Sequence, residues 1–319
     1  MKILKSLILI ILFSILIAGC SSADQSSKAN NGQLKIFTTL YPIQYAVERI
    51  GGDTVAAKTV YPPGVDAHSY EPTTKDITAI ADSTAFIYLG AGMESFAESA
   101  AEALAKQDVQ LIEIGEHEEL FHVEEKNHEH GAISEDSHAH DGHHHGDHDP
   151  HIWIDPVRMI EMASIIKEEL IALNPEKEAY YNENFSKLKT DLLALDEAFQ
   201  GKLDEKKNKQ ILVSHAAFGY WEERYGIEQI SINGLTSESE PSQKELTEII
   251  DQANSYNLDY IIFEQNSSNR VSEVIQNEIG AENLMIHNLS VLTEDDIAND
   301  EDYLSLMQYN LDVLDQATK

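Results

Sequence analysis

Short, continuously apolar runs alternate with stretches of helical length on both sides of a histidine-rich segment, and this alternation restricts the fold more than any other feature. Residues 85–89 (AFIYL) and 260–263 (YIIF) show no polar alternation. Such runs suit parallel strands covered on both faces, although a buried helix segment shares the pattern. Strands are expected at residues 34–40, 55–60, 85–89 and 109–114, with helices over 43–50, closed by Gly51-Gly52, and 94–106. The second half repeats the scheme, with strands at 210–214, 227–232, 260–263 and 284–287. Its helices are expected near 217–225, 243–255, 269–279 and 301–315, and Ser242 with Glu245 has the spacing of a capping box. The pattern predicts an α/β protein of two lobes, each built on a parallel sheet.

The lobes need a connection. Asp155-Pro156 opens a helix to about residue 173, and Asn174-Pro175 supplies an N-cap and a first-turn proline for the next. Tyr181, Phe185, Leu188, Leu192, Leu195 and Phe199 carry that second helix towards residue 205. A single helix of about thirty residues spans about 45 Å, enough to join one lobe to the other; two shorter helices with a break are the alternative. The expected organisation is a first lobe over 34–155, a helical segment over 156–205 and a second lobe over 206–319.

Composition narrows the function. A hydrophobic fraction of 42% excludes wholesale disorder, and 56 Asp+Glu against 22 Lys+Arg argue against nucleic acid. One cysteine excludes an intramolecular disulfide framework and a Cys-rich zinc site. Lys2 and Lys5 precede an apolar run over 7–17 that is too short to span a bilayer and reads as a signal peptide. It ends in Ile17-Ala18-Gly19-Cys20, which looks like a bacterial lipobox. Residues 1–19 are then the removed leader, Cys20 the lipid attachment point, and 20–33 a flexible tether. This places the protein at the extracytoplasmic face of the cell membrane, anchored rather than spanning. An ordinary leader with an incidental cysteine is the competing reading.

Fourteen histidines are unevenly spread. Ten lie in residues 115–150: His117, His122, His128, His130, His138, His140, His143, His144, His145 and His148. That segment is otherwise mostly Glu, Asp, Gly and Ser, has no hydrophobic period, and is expected to be a loop. The pairs His128/His130 and His138/His140 permit local chelation, and the interleaved acids attract divalent cations. Irregular spacing defines no single stoichiometric site, so collection of zinc, regulation of its release and a solvated spacer all remain open.

His68, His151, His215 and His287 stand outside the insert. His68 sits in a turn-rich loop after the second strand, His151 just before a helix, and His215 at the end of an apolar strand. Ligands of open α/β sheets bind beyond the carboxyl ends of the strands, where such loops converge. Each histidine alone is more often a polar surface residue. Three neutral imidazoles from two lobes form a natural tetrahedral zinc site with one position left.

The motifs GVDAHSYEP around His68, DPHIWIDP around His151 and SHAAFGYWEERYG around His215 resemble those of the metal-binding lipoproteins of bacterial ABC importers. The likeness is to the zinc-binding ZnuA/AdcA type (the cluster A-I, or cluster 9, solute-binding family) and covers about residues 34–319. The resemblance implies two α/β lobes joined by a rigid long helix, with the metal in the cleft between them. It carries the three ligands onto His68, His151 and His215. Manganese-type relatives typically use a glutamate as the third ligand, so His215 points to Zn²⁺ over Mn²⁺.

Two positions depart from the family pattern. Ala67 stands where a proline is usual before the first ligand, and Ser290 aligns with a carboxylate that many relatives use as fourth ligand. Water is the default occupant of that fourth position, with His287, Glu264 or an insert histidine as alternatives. Zinc-type members often carry a histidine-rich loop where this chain has its insert. The resemblance further implies a monomeric receptor that hands zinc to a permease driven by a cytoplasmic ATPase. A cell-adhesion role is often proposed for such lipoproteins, and no residue here selects for it.

An extracellular zinc hydrolase is the rival class, since catalytic zinc also uses three protein ligands. The chain lacks H-E-x-x-H, because His117-Glu118-Glu119-Leu120-Phe121 fails at its last position. Glu71 is the only carboxylate near a ligand that suits a general base. No phosphate-binding G-x-x-x-x-G-K-[ST] loop occurs, so the chain is not its own ATPase. The expectation is a non-enzymatic receptor.

Overall fold

The computed structural model describes residues 32–122, 148–236, 239, 241–265 and 270–319. The leader, Cys20 and seven insert histidines (His128, His130, His138, His140, His143, His144 and His145) lie outside the described residues.

Four parallel strands form the first sheet: β1 (Leu34–Thr38), β2 (Val55–Thr59), β3 (Ala85–Tyr88) and β4 (Gln110–Glu113), in the order β2-β1-β3-β4. All four residues of β3 are buried, as a strand covered on both faces requires. Helix α1 (Tyr41–Gly51) follows β1, α2 (Thr74–Ala81) precedes β3, and α3 (Ala97–Leu104) precedes β4. The apolar pattern does not announce α2, because Ile80 is its only fully buried residue; its marker is the reciprocal Thr73–Asp76 capping box. Helix α3 begins later than expected, because Glu94 turns its carboxylate inward. That carboxylate accepts from the amides of Leu89 (3.0 Å) and Gly90 (2.8 Å) and from the Thr39 hydroxyl. It thus closes the junction between the ends of β1 and β3, where the strand order reverses.

Residues 115–122 correct the expectation of a loop from residue 115. Short 3₁₀ turns occupy Ile114–Glu116 and Glu118–Leu120, and Leu120 and Phe121 are buried. The apolar pair is enough to order what composition assigned to the insert. At the far end, His148 stacks on Phe121 at 5.6 Å between ring centroids, so the two ends of the insert meet.

Helix α4 (Pro156–Leu173) starts where expected, with Asp155 capping the Val157 amide at 2.8 Å. Asn174 makes no side-chain cap; a 3₁₀ turn at Pro175–Lys177 intervenes before α5 (Glu178–Leu203). The 26 residues of α5 reach about 39 Å at the usual rise. This helix touches both lobes: Asn184 donates to the Ile50 carbonyl at 3.0 Å, and Asp196 accepts from the Tyr225 hydroxyl at 2.9 Å. The single-helix reading holds for this span.

The second sheet has the order β6-β5-β7-β8, again all parallel. Its strands are β5 (Gln210–His215), β6 (Glu228–Asn233), β7 (Tyr260–Glu264) and β8 (Glu282–Ile286). Helices α6 (Gly219–Tyr225), α7 (Gln243–Ser255) and α8 (Arg270–Ile279) lie between them, and α9 (Glu294–Ala298) and α10 (Tyr303–Ala317) follow. Alternation along β5 divides the core. Ile211 and Val213 join the large apolar cluster that runs through both lobes, whereas Leu212 faces a smaller one with Ile230, Ile261 and Ile275.

Candidate metal centre

His215 ends β5 and Glu264 ends β7, the two strands between which the second sheet reverses its order. That junction is where an open α/β sheet presents ligand-binding groups. His68 reaches the same point from the loop after β2, and His151 from the turn before α4. One ring nitrogen from each of His68, His151 and His215 falls within 4.8 Å of the others. The ring centroids are 5.0 to 5.6 Å apart, and the three planes stand at 65° to 86° to one another. The three sequence-predicted ligands, drawn from both lobes, therefore share one centre.

Two of the rings are aimed by carboxylates. Asp149 Oδ1 accepts from His151 Nδ1 at 2.7 Å, which turns Nε2 inward. Glu264 Oε1 accepts from His215 Nδ1 at 2.7 Å, while His215 Nε2 donates to the Leu235 carbonyl at 3.0 Å. Carboxylate–imidazole pairs of this kind fix the tautomer and the basicity of a metal ligand. His68 lacks such a partner: its Nδ1 is buried without a hydrogen bond. Its backbone amide, like that of His151, is held by the aspartate two residues earlier, Asp66 (2.8 Å) and Asp149 (3.0 Å).

The electrostatics follow from these contacts. Burial, then the neighbouring His151 and His215 charges, lower the His68 pKa to about 4. Burial also works to lower His215, but the Glu264 charge and hydrogen bond and the Leu235 carbonyl outweigh it, so its pKa is raised. Burial would raise Glu264, yet the His215 charge, with hydrogen bonds from His215 and Asn288, holds it below the usual range. These contacts thus favour a protonated His215 beside an ionised Glu264.

The candidates for a fourth ligand fall into different settings. His287 is buried with both ring nitrogens engaged: Nε2 donates to Asp296 Oδ2 at 2.9 Å, and Nδ1 accepts from the Leu289 amide at 2.9 Å. Glu264 stands behind His215, and the Ser290 hydroxyl donates to Asn288 Oδ1 at 2.8 Å. Glu71 is exposed. Within the insert, the partly exposed His117 sits beside Glu119 (3.0 Å), and the rings of His122 and His148 lie 6.0 Å apart. Sequence reasoning missed Asp149 and Asn288. The repeated Asp-x-His spacing at residues 66–68 and 149–151 was the available signal for Asp149.

Fold and site together define a two-lobed parallel α/β protein with three imidazoles gathered between the lobes. A family model described as the periplasmic zinc-uptake complex component A (ZnuA) matches residues 36–317, and the chain belongs to that family. The zinc-binding lipoprotein AdcA of Streptococcus pneumoniae serotype 4 is 33% identical over 316 residues, covering 98% of this chain and 60% of AdcA. This chain therefore spans about 60% of the length of that curated relative. The high-affinity zinc uptake system protein ZnuA of Bacillus subtilis is 29% identical over 302 residues, covering 94% and 93% of the two chains. Among solved structures, the Zn(II)-bound ZnuA-like domain of S. pneumoniae AdcA superposes with a TM-score of 0.71 at 31% identity, covering 90% of this chain and 99% of that domain.

Proposed function

We propose that this protein is the extracytoplasmic Zn²⁺ receptor of an ABC-type importer, and that zinc is cargo held by His68, His151 and His215. The observation that carries the reading is the convergence of three imidazoles from two lobes, two of them backed by Asp149 and Glu264. Neutral nitrogen donors suit Zn²⁺ better than Mn²⁺, which favours carboxylate oxygens. Water completes the tetrahedron, since among the described residues no further histidine, cysteine or carboxylate joins the three ligand atoms within 4.8 Å of one another; zinc at His215 Nε2 displaces the hydrogen bond to the Leu235 carbonyl. A lipid on Cys20 holds the receptor at the membrane, where it delivers zinc as a monomer to a permease driven by a cytoplasmic ATPase. The insert collects zinc weakly at many histidines beside this centre. Belonging to the zinc-uptake family supports a receptor over a hydrolase, as does the exposure of Glu71.

Titration of the chain with Zn²⁺ and Mn²⁺ tests this. One tight zinc site surviving deletion of residues 123–147, with weaker sites lost, is the expected result. That deletion spares Leu120 and Phe121, which belong to the core. Tight zinc binding that persists in the combined His68→Ala, His151→Ala, His215→Ala variant would overturn the site.

A further inference from the structure

Between β8 and α9 one short stretch reaches the supports of all three histidines. Asn288 Nδ2 donates to Glu264 Oε2 at 2.6 Å, and Glu264 holds His215 through its other oxygen. The Asn288 carbonyl accepts from the indole of Trp153 at 2.8 Å, two residues beyond His151. Further on, the Leu292 carbonyl accepts from the Gly64 amide at 2.9 Å, in the loop that carries His68. The Ser290 carbonyl accepts from the Tyr41 amide at 2.9 Å, at the start of α1. The bonds from Trp153, Gly64 and Tyr41 cross from the second lobe to the first.

Asn288 is itself clamped. Its amide donates to Gln265 Oε1 at 3.0 Å, and its Oδ1 accepts from Gln265 Nε2 at 3.2 Å and from the Ser290 amide at 3.1 Å. The next residue, Leu289, is fully buried at a φ of 63°, a left-handed conformation disfavoured for any residue with a Cβ. Such backbone persists where its surroundings over-determine it, and it tends to mark functional sites.

We infer that Asn288 is a positioning residue of the zinc centre. It orients the Glu264 carboxylate, and through it the His215 ring, from a segment that also fastens the loops of His151 and His68. Its side chain touches no metal nitrogen; it acts through Glu264. The inference rests on the three-histidine reading of the site. A merely structural asparagine would alter thermal stability and leave the metal centre unchanged.

The test compares Asn288→Asp, Asn288→Ala, Glu264→Gln and the Glu264→Gln/Asn288→Ala pair in the full chain. Asn288→Asp keeps the shape and the acceptor oxygen, but loses the donor and sets a carboxylate against Glu264. Circular dichroism checks that each variant folds. Zinc affinity is measured by competition with a chelating dye, and Co²⁺ absorption reports ligand geometry. Both Asn288 variants are expected to bind zinc roughly 10–100-fold more weakly, the range for groups that support metal ligands. Their Co²⁺ bands shift, and Asn288→Ala adds little once Glu264 is glutamine. Wild-type affinity and an unchanged Co²⁺ spectrum in Asn288→Asp would overturn the inference, as would full additivity in the pair. Zinc binding by the wild type that does not depend on the three histidines would instead overturn the site, and the inference with it.

Discussion

His151 Nε2 stands 3.3 Å from His68 Nε2, the spacing of about 3.3 Å that two nitrogens adopt when each lies about 2.05 Å from one tetrahedral zinc. In the site proposed above, the first lobe would supply two corners of a zinc coordination sphere and His215 the third from the second lobe. Replacing any one of the three by alanine is expected to weaken zinc by more than roughly 100-fold, beyond the effect of losing an outer partner. Calorimetric or dye-competition titration of each single variant checks this. A variant that keeps wild-type affinity is not a ligand.

Behind the ligands, Asp149→Asn and Glu264→Gln remove acceptor charge while keeping shape. Each is expected to weaken zinc roughly 10–100-fold without abolishing it. The effects should be of similar size, because both carboxylates contact an Nδ1 at 2.7 Å. The same titration decides the point, with Asp66→Asn as the contrast. Asp66 accepts from the amides of His68 and Ser69, so its loss should act on the loop.

His215 should contribute to the pH dependence of zinc affinity. Its pKa is raised by Glu264 and the Leu235 carbonyl against the opposing effect of burial, so the metal-free protein keeps a proton there to a higher pH than an ordinary histidine would. Zinc requires the neutral ring and expels that proton. Affinity is therefore full above the raised pKa and falls as pH drops through it, beginning at a pH higher than an ordinary histidine would give. His68, lowered to about 4, stays neutral through this window. Titrations between roughly pH 5 and 8 in buffers of different ionisation enthalpy measure the released proton. Glu264→Gln should move the onset to lower pH, and pH-independent affinity across the range would contradict the assignment.

The convergence of three histidines was legible because His68, His151 and His215 each sit at an element end within a proline- and aromatic-rich motif. The lobes were legible because runs such as AFIY are buried on both faces. Helices α2 and α9 were not, since they bury little apolar surface and are set by the Thr73/Asp76 and Thr293/Asp296 capping boxes. Leu120 and Phe121 escaped because two apolar residues in a charged stretch leave no period to detect, although both are buried. Asn288 and the Leu235 carbonyl were beyond reach for another reason. Their roles depend on contacts with residues 24 and 20 positions away, Glu264 and His215, which strand order alone brings together.

The start of the insert is tied to the lobe junction by Arg158. Its guanidinium pairs with Asp155 and Glu223, both at 2.8 Å, and donates to the carbonyls of Leu120 (3.1 Å) and His122 (3.2 Å). It also lies over the Tyr220 ring at 4.2 Å. Asp155 is fully buried, and Arg224 meets its other oxygen at 2.5 Å, so it loses half of its charge compensation if Arg158 is removed. Breaking one partner of a buried pair costs about 3–5 kcal/mol; Arg158→Ala belongs at the lower end of that range, because Arg224 remains. Denaturant midpoints of the metal-free protein measure the loss, with Lys187→Ala, from an exposed pair on α5, as the neutral control. A change in Arg158→Ala no larger than in the control would mean that Arg224 alone neutralises Asp155 and that water serves the two carbonyls.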